Sequence, residues 1–277
     1  MTSANDIYAT LLDPMILEEA RPLNVAGQFF YHPAGQGSAY QMPIMDDPGV
    51  ASASTEGTGL SNTQLTTSAA TATPGTVGQM ATITDELNIT TMLATYETWG
   101  SVLARSVMEK EETDRTALLD DFSNTTSTTG VDLTVSTFLA AEAALAARDQ
   151  VGQKVAVLHT QQAADLQQDI MTSTAAYWGN SNAQFNGIDV STLNGYVGTI
   201  GTTPIYQTSL VPTANSAADR AGAIFLANVA LAEGTVWDVR IELERDASMP
   251  GTEIVATSRK GYVERRDAAG QTLITDA

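Results

Sequence analysis

Between Ile89 and Val107 the apolar residues Ile89, Met92, Leu93, Tyr96, Trp99, Leu103 and Val107 recur at steps of three and four. At 3.6 residues per turn they form one stripe, which predicts a helix over 85–122. Asp85 or Asn88 can cap its start, and "MEKEETDRTALLDDF" extends or restarts it. "SNTTSTTG" at 123–130 has no period and reads as a loop. A second helix is predicted from Thr134 or Ser136 through Arg148, with Phe138, Leu139 and Leu145 as its apolar side. "KVAVLH" is apolar in a continuous run, as in a strand buried on both faces. Thr160 is then expected to cap a helix that turns Ala163, Leu166 and Ile170 inward.

Elsewhere the pattern is shorter. A helix is plausible around Ile7–Ala20. "RPLNVAGQFFYHPAGQGSAY" has no clear period, and its Phe29, Phe30 and Tyr31 have no evident cover within the chain, so a partner subunit is expected to supply it. In 41–84 the ends "YQMPIM" and "VGQMATIT" alternate like strands around a small, polar middle. This predicts a long two-stranded hairpin, which is marginal alone in water and would lie on a neighbour; a disordered linker is the bland alternative. Strands are predicted at "YVGTI" and "TPIYQTSLV", and a strand and short helix in "ADRAGAIFLANVALA". A last strand set over 236–277 has Val236, Val239, Ile241 and Leu243 facing a core. No repeat recurs at a fixed period of about 20–50 residues.

Composition narrows the class. With 277 residues and 43% apolar content the chain can bury a sizeable core. Only 16% is charged, with Ser, Thr, Asn and Gln in place of charge, which suits a surface covered by other chains or an extracellular adhesin. A net charge of −19 argues against nucleic-acid readout and against an anionic membrane surface. There is no cysteine, so disulfides and Cys-ligated zinc are excluded. The N-terminus has no basic segment followed by an apolar one, and no apolar run approaches ~20 residues. Neither export nor a membrane helix is therefore expected, and the cytoplasm of the producing cell is the expected compartment.

Candidate chemistry is sparse. His159 sits where many enzymes present a catalytic group, but no GxSxG elbow accompanies it and neither His159 nor His32 has a second ligand at metal spacing. A capping or core-edge histidine is the better reading. The glycines of "GQGSAY" and "EGTGLS" form no phosphate loop, and Asp46–Asp47 before Pro48–Gly49 forms no calcium loop. Glu109, Glu111, Glu112 and Asp114, interleaved with Lys110 and Arg115, read as a solvated helix face. Asn88 and Asn124 match glycosylation acceptors without an export signal. Nothing assembles a nucleophile, base and oxyanion site, so no enzyme, cofactor or metal is expected.

Five stretches in order, over roughly residues 20–277, resemble a tailed-bacteriophage major capsid protein of the Hong Kong ninety-seven type. "VGQMATITDELN" resembles the return of an extended loop into a spine helix, and "LARSVMEKEETDRTALLDDFSN" that helix's later half. "LTVSTFLAAEAALAARDQVGQKVAVLHTQQAADLQQDI" resembles helix, strand and helix of an axial domain. "GYVGTIGTTPIYQTSLVP" and "GAIFLANVALAEG…VRIELERDASMPGTEIVATSRKGYVERRDAAGQTLITD" resemble the later strands. The resemblance implies an α+β phage capsid fold: an arm at 1–40, an extended β-hairpin loop at 41–84, a peripheral domain with the spine helix at 85–130, an axial α/β domain at 131–235, and closing strands returning to the peripheral domain at 236–277. It implies self-assembly as hexamers and pentamers into an icosahedral head shell around a double-stranded DNA genome, built in the host cytoplasm. Portal and a separate scaffolding protein are implied partners, the latter favoured by the Met1 start, with a decoration protein possible in addition; no specific DNA binding and no membrane contact are implied. Phe29, Phe30, Tyr31, Asp46, Asp47 and Glu56 are the expected inter-subunit contacts, and removal of residues 1–30 is expected to leave a folded core without shells. Some relatives cross-link through a loop lysine; here Lys110, Lys154 and Lys260 are the only lysines, and none precedes residue 110. The other reading is an extracellular adhesin or surface-layer protein.

Overall fold

A computed structural model describes residues 24–35, 37–45, 49–51, 53, 56–57, 64–86, 96–172, 183–184, 195–215, 219–246, 248 and 250–276. The helix expected around Ile7–Ala20, the residues Asp46 and Asp47, and the stripe positions Ile89, Met92 and Leu93 lie outside the described residues.

The larger layer is an eight-stranded mixed sheet. Its path runs β4 (Thr125–Thr128), β13 (Gly270–Asp276), β10 (Asp219–Leu226), β5 (Lys154–His159), β8 (Thr203–Thr208), β7 (Tyr196–Ile200) and β6 (Ala183–Gln184), with β9 (Thr213–Ala214) beside β10. The β4–β13 and β5–β8 pairs are parallel. The apolar run of β5 is explained by burial on both faces. Ala156 and Leu158 pack with Phe138, Ala141, Leu145 and Leu166 from helices α2 (Val135–Ala146) and α3 (Thr160–Thr172). Val155 and Val157 pack on the other side with Phe30, Leu119, Phe122 and Phe225.

The second layer is a three-stranded antiparallel sheet, β11 (Leu231–Asp246), β12 (Gly251–Glu264) and β3 (Gly75–Thr84), lying on the long helix α1 (Tyr96–Ala117). Leu103, Ala104 and Val107 of α1 meet Ile83, Val239, Ile241, Ile254 and Ala256. The remaining sheet pairs β1 (Tyr40–Met45) with β2 (Thr67–Ala72).

Several expectations are corrected. "YQMPIM" and "VGQMATIT" do not pair with each other. The first pairs with "TSAATA", and the second joins β12 because Val77, Ala81 and Ile83 have an apolar helix to cover. "TSAATA" carries only small side chains, so hydrophobic alternation did not mark it. Thr125–Thr128, expected as loop, forms β4 by parallel pairing with β13. The helix stops at Ala117 rather than running to 122. Leu139 is 44% exposed, leaving Phe138, Ala141 and Leu145 as the packed side of α2. The stretch after β10 turns directly into β11, with no helix between them. The last strand, β13, joins the larger sheet rather than the sheet on α1.

The aromatic segment is the largest correction. Phe30 is fully buried, and Phe29 packs on the same cluster with its ring 4.7 Å from that of Tyr206. Phe30 is therefore covered within the chain, and Phe29 is covered in part. Tyr31 remains 36% exposed, under the Arg265 guanidinium at 4.5 Å. A cut at residue 30 would remove Phe30 from the core.

Candidate functional site

The helix stripe of α1 continues into charge. Leu103, Val107, Glu111 and Arg115 follow one another at steps of four, so the geometry that buries the leucine and valine also buries the acid and the base. Glu111, Glu112 and Arg115 are 1%, 0% and 2% exposed. The acidic run is thus no solvated face on this side; only its other side, Glu109 and Lys110, is exposed.

Arg115 holds the cluster together. Its Nε donates to Glu233 Oε2 at 2.7 Å, Nη1 to Glu112 Oε2 at 3.3 Å and Nη2 to Glu111 Oε2 at 3.4 Å. Its guanidinium also lies 5.5 Å from the centre of the Tyr262 ring. Glu233 on β11 pairs in register with Tyr262 on β12, and Thr235 with Lys260, so strand alternation points Glu233, Tyr262 and Lys260 at the helix. Lys260 Nζ is 3.0 Å from Glu111 Oε2, 3.5 Å from Glu233 Oε1 and 3.0 Å from the exposed Asp238. Glu112 Oε1 accepts the backbone N–H groups of Val25 at 3.0 Å and Ala26 at 2.6 Å. One buried network therefore ties the N-terminal segment, α1, β11 and β12 together.

Three buried carboxylates meet two buried cations here. Burial pushes the Glu112 carboxyl up, against the pull of the Ala26 N–H and Arg115. Burial acts the same way on Glu233, but Arg115 outweighs it and holds that carboxyl below its ordinary value. Burial opposes the Lys260 charge, and Glu111 and Glu233 overcome it and raise that pKa. The charges are engaged with one another, and the network works as a clamp.

Beside the clamp, the β1–β2 ribbon is fixed at its base. The Tyr40 hydroxyl donates to Thr235 O at 2.6 Å and to Gly35 O at 3.0 Å, and its ring lies against Gly234, where a Cβ would collide with it. Away from the base, Met45, Val50 and Leu65 are 69%, 102% and 56% exposed, and Glu56 is exposed. Of the expected contact residues, Tyr31 and Glu56 present surface, Phe29 is partly buried, and Phe30 is fully buried.

His159 is a helix cap. Its Nδ1 accepts the Gln161 N–H at 3.2 Å, while its own N–H donates to Gln162 Oε1 at 3.0 Å, a reciprocal capping box in which His159 replaces the expected Thr160. Gln162 Nε2 then donates to Arg220 O, Leu273 O and Thr275 Oγ1, joining α3 to β10 and β13. Burial, then Arg220, lowers the His159 pKa and favours the neutral ring that capping needs. Among the described residues no group of three or more His, Asp or Glu could hold a metal ion, and no helix is long and apolar enough to cross a membrane.

No family model matches the sequence, and no curated protein is similar to it. Solved structures are similar over nearly the whole chain. The capsid of cyanophage P-SCSP1u shares 13% identity, with 91% of this chain and 88% of that one covered at a TM-score of 0.66. The capsid of a native GTA particle shares 14%, over 92% and 91%, at 0.65. The head of Helicobacter pylori bacteriophage KHP40 shares 12%, over 92% and 89%, at 0.64. The fold is that of phage capsid proteins. It is the α+β Hong Kong ninety-seven type architecture that the sequence resembles.

Proposed function

We propose that this chain is the major capsid protein of a phage, assembling as hexamers and pentamers into an icosahedral head shell around double-stranded DNA. The observation that carries this reading is correspondence with phage capsid proteins over about nine-tenths of each chain. A marginal two-stranded ribbon with exposed Met45, Val50 and Leu65 supports it, because such a ribbon gains stability on a neighbour. The histidine best placed for catalysis is engaged in a helix cap, which supports a structural rather than an enzymatic role. The implied partners are further copies of the chain, a portal, a separate scaffolding protein and possible decoration proteins, with assembly in the host cytoplasm. Expression of the full chain, with and without co-expressed scaffold, followed by electron microscopy tests this. Regular closed particles are the expected product. Monomers only, in both conditions, would refute the proposal.

A further inference from the structure

The sheet of β3, β11 and β12 has one face on α1 and one away from it, and the outward face is divided by charge. Strand alternation places Arg240, Glu242 and Glu244 of β11 opposite Thr257, Val255 and Glu253 of β12, on the face away from Val239, Ile241, Ile254 and Ala256. One end is cationic. The Arg240 and Arg259 guanidinium carbons lie 4.5 Å and 5.6 Å from the centre of the Trp237 ring, at a register shift in β11. There Trp237 Nε1 and Arg259 Nε are buried beneath the surface without a hydrogen-bond partner among the described residues, and Arg240 carries the exposed charge. The other end is acidic. Glu244 and Glu253 stand directly opposite each other across the strand pair, an unfavourable like-charge arrangement. Between the ends, Met80, 55% exposed, pairs in register with Val255.

The two ends are complementary in charge. Within its own copy the exposed Arg240 has only a surface ion pair with Glu242, at 3.4 Å, and a long contact to Thr257 Oγ1, while the facing carboxylates at the other end need a cation. Within one copy they are too far apart to meet. Four residues separate Arg240 from Glu244 and six separate Arg259 from Glu253, about 13 Å and 20 Å along a strand. We propose that this face docks on the same face of a second copy turned end for end. The Trp237–Arg240–Arg259 end of each then meets the Glu244–Glu253 end of the other, over an apolar centre at Met80 and Val255. A twofold contact of this kind needs only one self-complementary patch. Trp and Arg are the residue types that dominate such contacts. In a chain of net charge −19, with 13 cations in all, a cationic patch that faces outward singles out an acidic partner surface. The inference rests on the capsid reading and adds the surface through which copies meet.

Two full-length variants test it, R240E/R259E and E244R/E253R. Each alone makes the contact repulsive at both ends, whereas an equal mixture makes it attractive at both. Each variant, folded by circular dichroism, should give at least about tenfold fewer particles than wild type, and their co-expression should restore them. Normal particles from either variant alone, or no recovery in the mixture, overturn the inference and leave the face to another occupant. Should a reversal variant misfold, Arg240→Gln with Glu244→Gln is read instead. A several-fold loss of particles then supports the contact, and an unchanged yield overturns it. Failure of wild type to form particles with or without scaffold would instead overturn the capsid reading beneath it.

Discussion

At the scale of single residues, the clamp on α1 shows how burial changes what a charge does. Arg115 meets three carboxylates, so removing it leaves acids at 0–2% exposure with too few partners. Arg115→Met should destabilise the monomer by about 3–5 kcal/mol, measured by urea unfolding, with Arg115→Lys recovering little because an ammonium cannot reach three acceptors as a fork does. Glu264 makes a different prediction. Burial, with Asp267 and Asp121 nearby, raises its carboxyl from 4.5 to about 7. A folded-state value above the unfolded one means the folded protein holds the proton more tightly. That stabilisation is complete below 4.5 and is lost as pH rises through about 7. Glu264→Gln should therefore flatten the fall in unfolding free energy, measured by urea unfolding, between about pH 5 and about pH 8, by on the order of 1 kcal/mol after discounting solvent screening. An equal fall in variant and wild type would assign the pH dependence elsewhere.

At the scale of elements, what could be read in advance depended on whether an element's partner left a mark on its own sequence. α2, β5 and α3 were legible because their apolar periods report local burial, and of the two starts open for α2 it is Thr134 that caps the helix, its side chain accepting from Thr137 N–H. β2 and β4 were not legible: their Thr, Ser and Ala residues become strands only by pairing with β1 and β13, far away in sequence. The burial of Phe30 likewise depends on β10 and on Leu119 and Phe122, which no local pattern reveals. The clamp was partly legible, because Glu111 and Arg115 continue the step of four from Leu103 and Val107. What concealed it was the assumption that charge faces water, and its partners Glu233 and Lys260 lie more than a hundred residues on. The segment around Phe30 is thus a core element rather than a detachable arm. Phe30→Ala should cost about 3–5 kcal/mol in the isolated monomer. A variant as stable as wild type would return this segment to the role of an arm.

At the scale of the whole molecule, and on the capsid reading proposed above, the distribution of cations decides how a shell of this protein would be strengthened. A covalent lysine–asparagine link requires an amine that is free to reach a neighbour and able to lose its proton. Lys260 meets neither condition, since it is 9% exposed at its side chain and Glu111 and Glu233 keep it charged despite burial. Lys154 is paired with Glu142 at 3.1 Å, on β5 within the larger sheet. Lys110 is exposed but sits on α1, paired with Asp114 at 2.5 Å, far in sequence from the β1–β2 ribbon, which has no lysine at all. There is no cysteine to supply a disulfide. Cohesion must then come from area buried between copies and from paired charge, and charge pairing at exposed contacts weakens with salt. Particles boiled in detergent should run as one band near the 29.2 kDa of the single chain. Intact particles should also lose cohesion as salt is raised, because the contacts proposed at Arg240, Arg259, Glu244 and Glu253 are screened at short range above about 1 M. A ladder of boiling-resistant bands would show that one of these three amines reaches a neighbour after all, and Lys110→Arg, which keeps the charge and removes the amine nucleophile, would identify whether it is the exposed one.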